Sequence, residues 1–254
     1  MTIKNHIIAG QLIFAFLLIT LCIQCSDKKS SQISEQTPSI ADEPETVKDS
    51  IIASCIWDNV ALRQDPSDKG KYLTALSIGE VVTVLPNAID TADVYVKIRL
   101  NDGTEGWSKK DFIVSNGQPH VNIKDADIYN RPDALTKTDK KFSKYDIVAV
   151  TSSREDFLEV KGKRSDGKWI ETGWIKSSNL SNNKLDIAAA KFIQKALAEK
   201  NDEKKITVLQ EIASNSDLKD SQLIVELHEI INTIQAKQME IVTEEVLAGE
   251  VNPQ

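Results

Sequence analysis

Hydrophobic positions change period along this chain, and the change divides it. Between Ser54 and Leu180 the apolar residues come in short alternating or β-branched runs, such as Val81-Val82-Thr83-Val84-Leu85 and Tyr95-Val96-Lys97-Ile98-Arg99-Leu100, closed by turns such as Asn101-Asp102-Gly103. Such runs predict about five short strands per stretch of this length, and tight turns between them favour a small barrel. From Leu185 the period becomes helical. Leu185, Ala188, Ala189, Phe192, Ile193, Ala196 and Leu197 fall on one stripe, with Lys191, Lys195 and Glu199 on the other face. Asn201-Asp202 predicts the cap of a second helix carrying Ile206, Leu209 and Ile212, and a third stripe runs from Leu223 through Ile234 toward Leu247. The expected fold is α+β and multidomain: small β-barrels at 52–115 and 120–181, then a helical C-terminal domain at 183–248.

The strand-rich part repeats itself. Leu62, Pro66, Glu80, Val82 and Val84 recur as Ile128, Pro132, Asp146, Val148 and Val150 at one constant offset, and the copies close on Gly106-Trp107 and Gly173-Trp174. The second copy departs from the first where Tyr145 stands for Gly79 and Tyr129 for Arg63. Asn116-Gly117-Gln118-Pro119 is expected to turn sharply between two separate barrels.

Ahead of the repeats an apolar run from Ile7 to Ile23, broken only by Gly10, Gln11 and Thr20, ends at Cys25 and Ser26-Asp27-Lys28-Lys29. Residues 1–25 have the build of a signal segment, with a retained anchor helix or an ordinary secretory signal as the alternatives. The segment resembles a bacterial lipoprotein signal, in which the thiol of the first mature residue takes a diacylglyceryl group. That resemblance assigns Cys25 as the lipidation site, although Cys22-Ile23-Gln24 lacks the usual Leu and small residues. It implies an extracytoplasmic protein, lipid-anchored to a bacterial membrane and facing the periplasm or the cell surface. Residues 26–51 hold Pro38 and Pro44, no aromatic residue, and mostly polar or charged side chains. Such a composition reads as a tether, spanning roughly 25 to 30 Å if it is soft.

Charge narrows the partners. The whole chain carries a formal charge of −7, which becomes −8 when the signal segment leaves with Lys4, and from Asn182 onward there is no Arg. That is the opposite of a phosphate-neutralising stripe, so neither nucleic acid nor strong binding to anionic lipid is expected. With Cys22 removed and Cys25 lipidated, Cys55 is the only thiol left, too few for an internal disulfide, and a small buried hydrophobe is the commoner role at such a position.

Arg63 and Pro66, then Gly79-Glu80-Val81-Val82-Thr83-Val84, Tyr95-Val96-Lys97-Ile98, Asp102-Gly103 and Gly106-Trp107, occur in the order found in bacterial SH3 (SH3b) domains, which the first copy resembles. The second copy, with Tyr129, Pro132, Phe157-Leu158-Glu159-Val160, Asp166-Gly167 and Gly173-Trp174-Ile175, looks like a diverged member of the same family. The resemblance implies a shallow groove between loops, lined by aromatic rings. It assigns Tyr95 and Phe157 as candidate ligand-binding residues, with Tyr129, Trp169 and Trp174 as further candidates. Packing against the barrel is the commoner role for Trp107 and Trp174, and Trp57 is expected to plug the first barrel.

Family members accompany cell-wall hydrolases, which need a Cys/His pair or a metal cluster. Only His6, His120 and His228 are present, and neither Cys55 nor His120 lies in a nucleophile motif. No catalytic residue, metal site or cofactor is therefore expected. The expected function is noncatalytic binding of peptidoglycan or an envelope protein. The alternatives are an inactive adaptor subunit that delivers a cell-wall hydrolase and a surface lipoprotein that binds host molecules.

Overall fold

Alternation in the strand-rich stretches builds two antiparallel sheets of seven strands each. The computed structural model describes residues 50–89 and 93–250, so the expected signal segment with Cys25, and the expected tether up to Lys48 and Asp49, lie outside the described residues. The first sheet contains β1 (Ile51–Cys55), β2 (Val60–Arg63), β3 (Tyr72–Leu76), β4 (Val81–Ile89), β5 (Tyr95–Arg99), β6 (Glu105–Lys109) and β7 (Ile113–Ser115). Its spatial order is β3-β2-β6-β5-β4-β1-β7. The second contains β8 (Gln118–Asn122), β9 (Ala126–Tyr129), β10 (Lys137–Phe142), β11 (Ile147–Arg154), β12 (Phe157–Lys163), β13 (Ile170–Lys176) and β14 (Leu180–Ser181), in the order β10-β9-β13-β12-β11-β8-β14. Each strand of the first order has its counterpart seven strands further along in the second. Seven strands occur where about five were expected, partly because a 3-10 turn at Lys110–Phe112 breaks the run after Trp107 into β6 and β7.

Each sheet curls as a half-barrel over its own apolar cluster. Leu62, Leu76, Val82, Val96, Ile98 and Ile113 fill the first, and Ile128, Phe142, Val148, Val160 and Ile175 the second. The repeated Gly-Trp has a packing cause. A Cβ on Gly106 would stand 2.7 Å from the carbonyl oxygen of Arg63, and one on Gly173 would stand 2.5 Å from Cγ2 of Ile128. The following tryptophans, both half-buried, pair with the ends of β2 and β9, Trp107 with Arg63 and Trp174 with Tyr129.

The turns into β4 and β11 are built alike. Gly79 N–H donates to the Cys55 carbonyl and Tyr145 N–H to the Asn122 carbonyl, both at 2.7 Å. The Glu80 carboxylate accepts the Ser77 N–H and the Asp146 carboxylate the Ser143 N–H, both at 2.8 Å. Gly79 and Tyr145 both sit in the left-handed region, with φ of 72° and 74°. Glycine takes that conformation freely, whereas a bulky side chain there is strained.

The two sheets share a small cluster in which Ile56 and Val114 of the first meet Ala149 and Ile170 of the second. The connection between them is shorter than the sequence suggested. Only Asn116 and Gly117 lie between β7 and β8, and Pro119 stands inside β8, opposite Ala149. β14 covers β8 only at Val121 and Asn122, so Pro119 occupies an uncovered stretch where a missing N–H is tolerated.

Three helices follow: α1 (Lys184–Leu197), α2 (Asp202–Ala213) and α3 (Leu227–Glu250). Asn183 caps α1 by accepting the Leu185 N–H, and Asn201 caps α2 by accepting the Lys204 N–H. Their core takes in Val121, Tyr145 and Ile147 of the second sheet, with Ile78 of the first packed against it. The buried face of α1 runs through Asp186, Ile187, Ala189, Ala190, Ile193 and Ala196, one step round from the expected stripe, and leaves Phe192 52% exposed.

Asp186 accounts for that rotation. Its carboxylate accepts hydrogen bonds from Ser181 Oγ (2.6 Å), Ser221 Oγ (2.7 Å), Gln222 Nε2 (2.7 Å) and Gln222 N–H (3.0 Å). Burial opposes its ionisation, but these donors outweigh it and hold the carboxyl below the ordinary Asp range. The third helix begins later than its stripe implied, because Leu223 and Ile224 are buried in turns before Leu227.

Candidate binding grooves

Strand alternation sends Val96 and Ile98 of β5 into the core and leaves Tyr95 on the other face. Tyr95 is nonetheless only 7% exposed, since the loop between β2 and β3 folds over it. The Tyr95 hydroxyl donates to the Asp68 carboxylate, whose Oδ1 also pairs with Lys109 Nζ at 3.0 Å. Lys109 and then Tyr95 hold the Asp68 carboxyl below its usual range, and Asp68 in turn raises Lys109. Burial first, and the Asp68 contact second, push the Tyr95 phenol up.

These residues line one wall of a cavity of about 230 Å³, with Trp57, Phe112, Arg63 and Asp58 completing it. The rings of Trp57 and Phe112 lie 5.3 Å apart, and Lys163 of β12 places its ammonium 5.0 Å from the Trp57 ring. Trp57 therefore packs against the first core, as expected of a plug, and also forms a wall of the groove.

The second sheet has a groove of different lining, between the loop after β9 and the β11–β12 hairpin, which corresponds to the first mainly at the residue that opens the strand. Phe157 opens β12 as Tyr95 opens β5, is 8% exposed, and meets Tyr129 edge to face at 5.2 Å and 80°. With Arg131, Pro132, Asp133, Ala134, Arg154 and Glu155 it lines a cavity of about 550 Å³. Tyr129 and Phe157 are thus brought together, Tyr95 stands in the other groove, and Trp174 is half-buried beside Tyr129 in the β9–β13 pairing. Trp169 joins neither groove; it is 78% exposed in the hairpin between β12 and β13.

Sequence reasoning missed the charged members, Asp68 and Lys109 in the first groove and Arg131 and Arg154 in the second. They come from loops and strand ends far apart in the chain, where no spacing links them. Cys55 is fully buried, and burial pushes its thiol up to about 11 although its Sγ donates to the Trp57 carbonyl. His120 is buried too, and desolvation lowers its imidazole.

Similarity to known proteins is confined to one stretch of the chain and to distant structures. No curated protein matches the chain. Among solved structures, NlpC1 of Trichomonas vaginalis aligns at 13% identity and a TM-score of 0.26, over 63% of this chain and 58% of that one. NlpC2 of the same organism aligns at 14% and 0.24, over 65% and 56%. The chain thus spans less than two thirds of either protein. The family model of the bacterial SH3 domain matches residues 58–114, the stretch that carries the first groove.

Proposed function

We propose that this chain is a noncatalytic binding protein of the bacterial cell envelope, anchored through a lipid on Cys25, whose first groove takes peptidoglycan or an envelope protein. The observation that carries the reading is the first groove itself, a cleft of Trp57, Tyr95 and Phe112 rimmed by the Asp68–Lys109 ion pair. It lies in the stretch that matches the bacterial SH3 domain, a family whose members commonly bind peptidoglycan. Flat rings with charged neighbours suit a sugar face or an extended peptide. The noncatalytic part is supported by Cys55, whose buried thiol with its pKa near 11 stays protonated at neutral pH and out of reach of a substrate.

A second reading, an adaptor that delivers a cell-wall hydrolase, draws support from a mainly apolar cleft of about 410 Å³ between α1 and α2, lined by Phe192, Val208 and Leu218. One experiment separates the two. The full chain is mixed with purified peptidoglycan and, in parallel, with envelope extract, using wild type and Asp68→Ala/Lys109→Ala. Loss of peptidoglycan retention in the variant supports the first reading. Retention only from extract, unchanged in the variant and accompanied by hydrolase activity, supports the second.

A further inference from the structure

The chain has five arginines, and three are engaged: Arg63 donates to the Gly70 carbonyl, Arg99 pairs with Glu105, and Arg164 lies 3.7 Å from Asp166 and Glu171. Among the described residues the other two, Arg131 and Arg154, have no side-chain partner, and both line the second groove. An unpaired guanidinium presents a planar fork of donors that matches a carboxylate.

The loop bearing Arg131 is held stiffly. Asp133 accepts the Leu135 N–H at 2.9 Å, while Thr136 Oγ1 donates to the Arg131 and Asp133 carbonyls and accepts the Arg131 N–H. On this fixed loop Leu135 is 93% exposed, far beyond the other large apolar residues of the sheets apart from Trp169. A rigid loop that presents a bare leucine beside two free arginines is preorganised for a partner.

We propose that the second groove binds an extended peptide segment in which a carboxylate side chain neighbours an apolar one. The carboxylate meets Arg131 and Arg154, and the apolar side chain packs on Leu135 beside Phe157. Two carboxylates share the cavity: Asp133, already committed to Leu135 N–H, and Glu155 at the hairpin tip. With two cations balanced by two anions, the groove suits a monoanion better than a phosphate dianion. The first groove offers no such pair of free forks, because its one arginine, Arg63, donates to the Gly70 carbonyl and Lys109 is bound to Asp68.

The test uses the full chain and a capped Ala-Leu-Glu-Ala-Ala peptide, followed by amide shifts of Arg131, of residues 133–136 and of residues 154–157. A counterpart with Gln for Glu should bind at least about tenfold more weakly, as should the Arg131→Gln/Arg154→Gln variant toward the original peptide. Asp68→Ala/Lys109→Ala should bind it unchanged, which keeps this result separate from that of the first groove. No shift with the Glu peptide, equal binding of the Gln peptide, tighter binding of a phosphoserine counterpart, or full affinity in the arginine variant would each overturn the assignment.

Discussion

At the turn into its longest strand the first sheet carries Gly79 and the second Tyr145, at nearly the same positive φ and with the same hydrogen bonds. The backbone device has been kept while the side chain has changed. In the first sheet the absent side chain leaves room, since a Cβ on Gly79 would come within 3.1 Å of Ile147 and 3.4 Å of Ile187. In the second, the Tyr145 ring is buried in the core shared with the helices, and that burial offsets the strain of its backbone. The grooves diverge further. Each takes in the residue that opens β5 or β12, but the first is built on the segment leading into β2 and is rimmed by the Asp68–Lys109 ion pair, whereas the second lies between the loop after β9 and the β11–β12 hairpin and leaves two arginines open.

The comparison breaks most visibly at the turn. Tyr145→Ala should cost about 3 to 4 kcal/mol, the range for a buried aromatic truncated in a core, because it keeps the strained φ and empties the helical core. Gly79→Ala should cost only about 1 to 2 kcal/mol, from left-handed strain and one tight contact. Urea unfolding of both variants measures the contrast. Equal losses would mean that Tyr145 does not hold the helices.

Gly106→Ala and Gly173→Ala should behave alike, each losing about 2 to 3 kcal/mol by overpacking against the crossing strand. Thermal melts that differ strongly between the two would show that the repeated Gly-Trp serves different ends in the two copies.

The smallest effects are electrostatic. Asp146 is raised above the ordinary Asp range by burial, against hydrogen bonds from Ser143 and Ser165 and with help from the charge of Asp166. Between the ordinary Asp pKa and its own higher one the folded chain holds a proton that the unfolded chain has lost. Acidification through that window should therefore stabilise the fold, and Asp146→Asn should abolish the gain. Asp186 has the opposite sign. Its contribution is present above the ordinary Asp range and lost as pH falls below it, so Asp186→Asn should flatten the acid limb of the stability curve. Denaturation midpoints of both variants across the acid range check the two signs.

Much of this was legible in the sequence. The constant offset from Leu62 to Val84 predicted paired structures of like plan, and Gly-Trp marked where β6 and β13 pass too close to a neighbour for a Cβ. The like placement of Tyr95 and Phe157 was legible as well, because each opens its strand. The rims were not. Arg131 and Arg154 are 23 positions apart and meet only through the fold. The rotation of α1 was equally hidden, since its sequence offers two overlapping stripes and the choice rests on hydrogen bonds from Ser221 and Gln222, more than thirty residues away.

Titration of the full chain with soluble fragments of purified peptidoglycan, followed through its amide signals, tests the envelope-binding reading most directly. Saturable shifts confined to Trp57, Arg63, Asp68, Tyr95, Lys109 and Phe112, lost in Asp68→Ala/Lys109→Ala, are the predicted result. Signals that stay still at these residues, or that move only along α1 and α2, would contradict it.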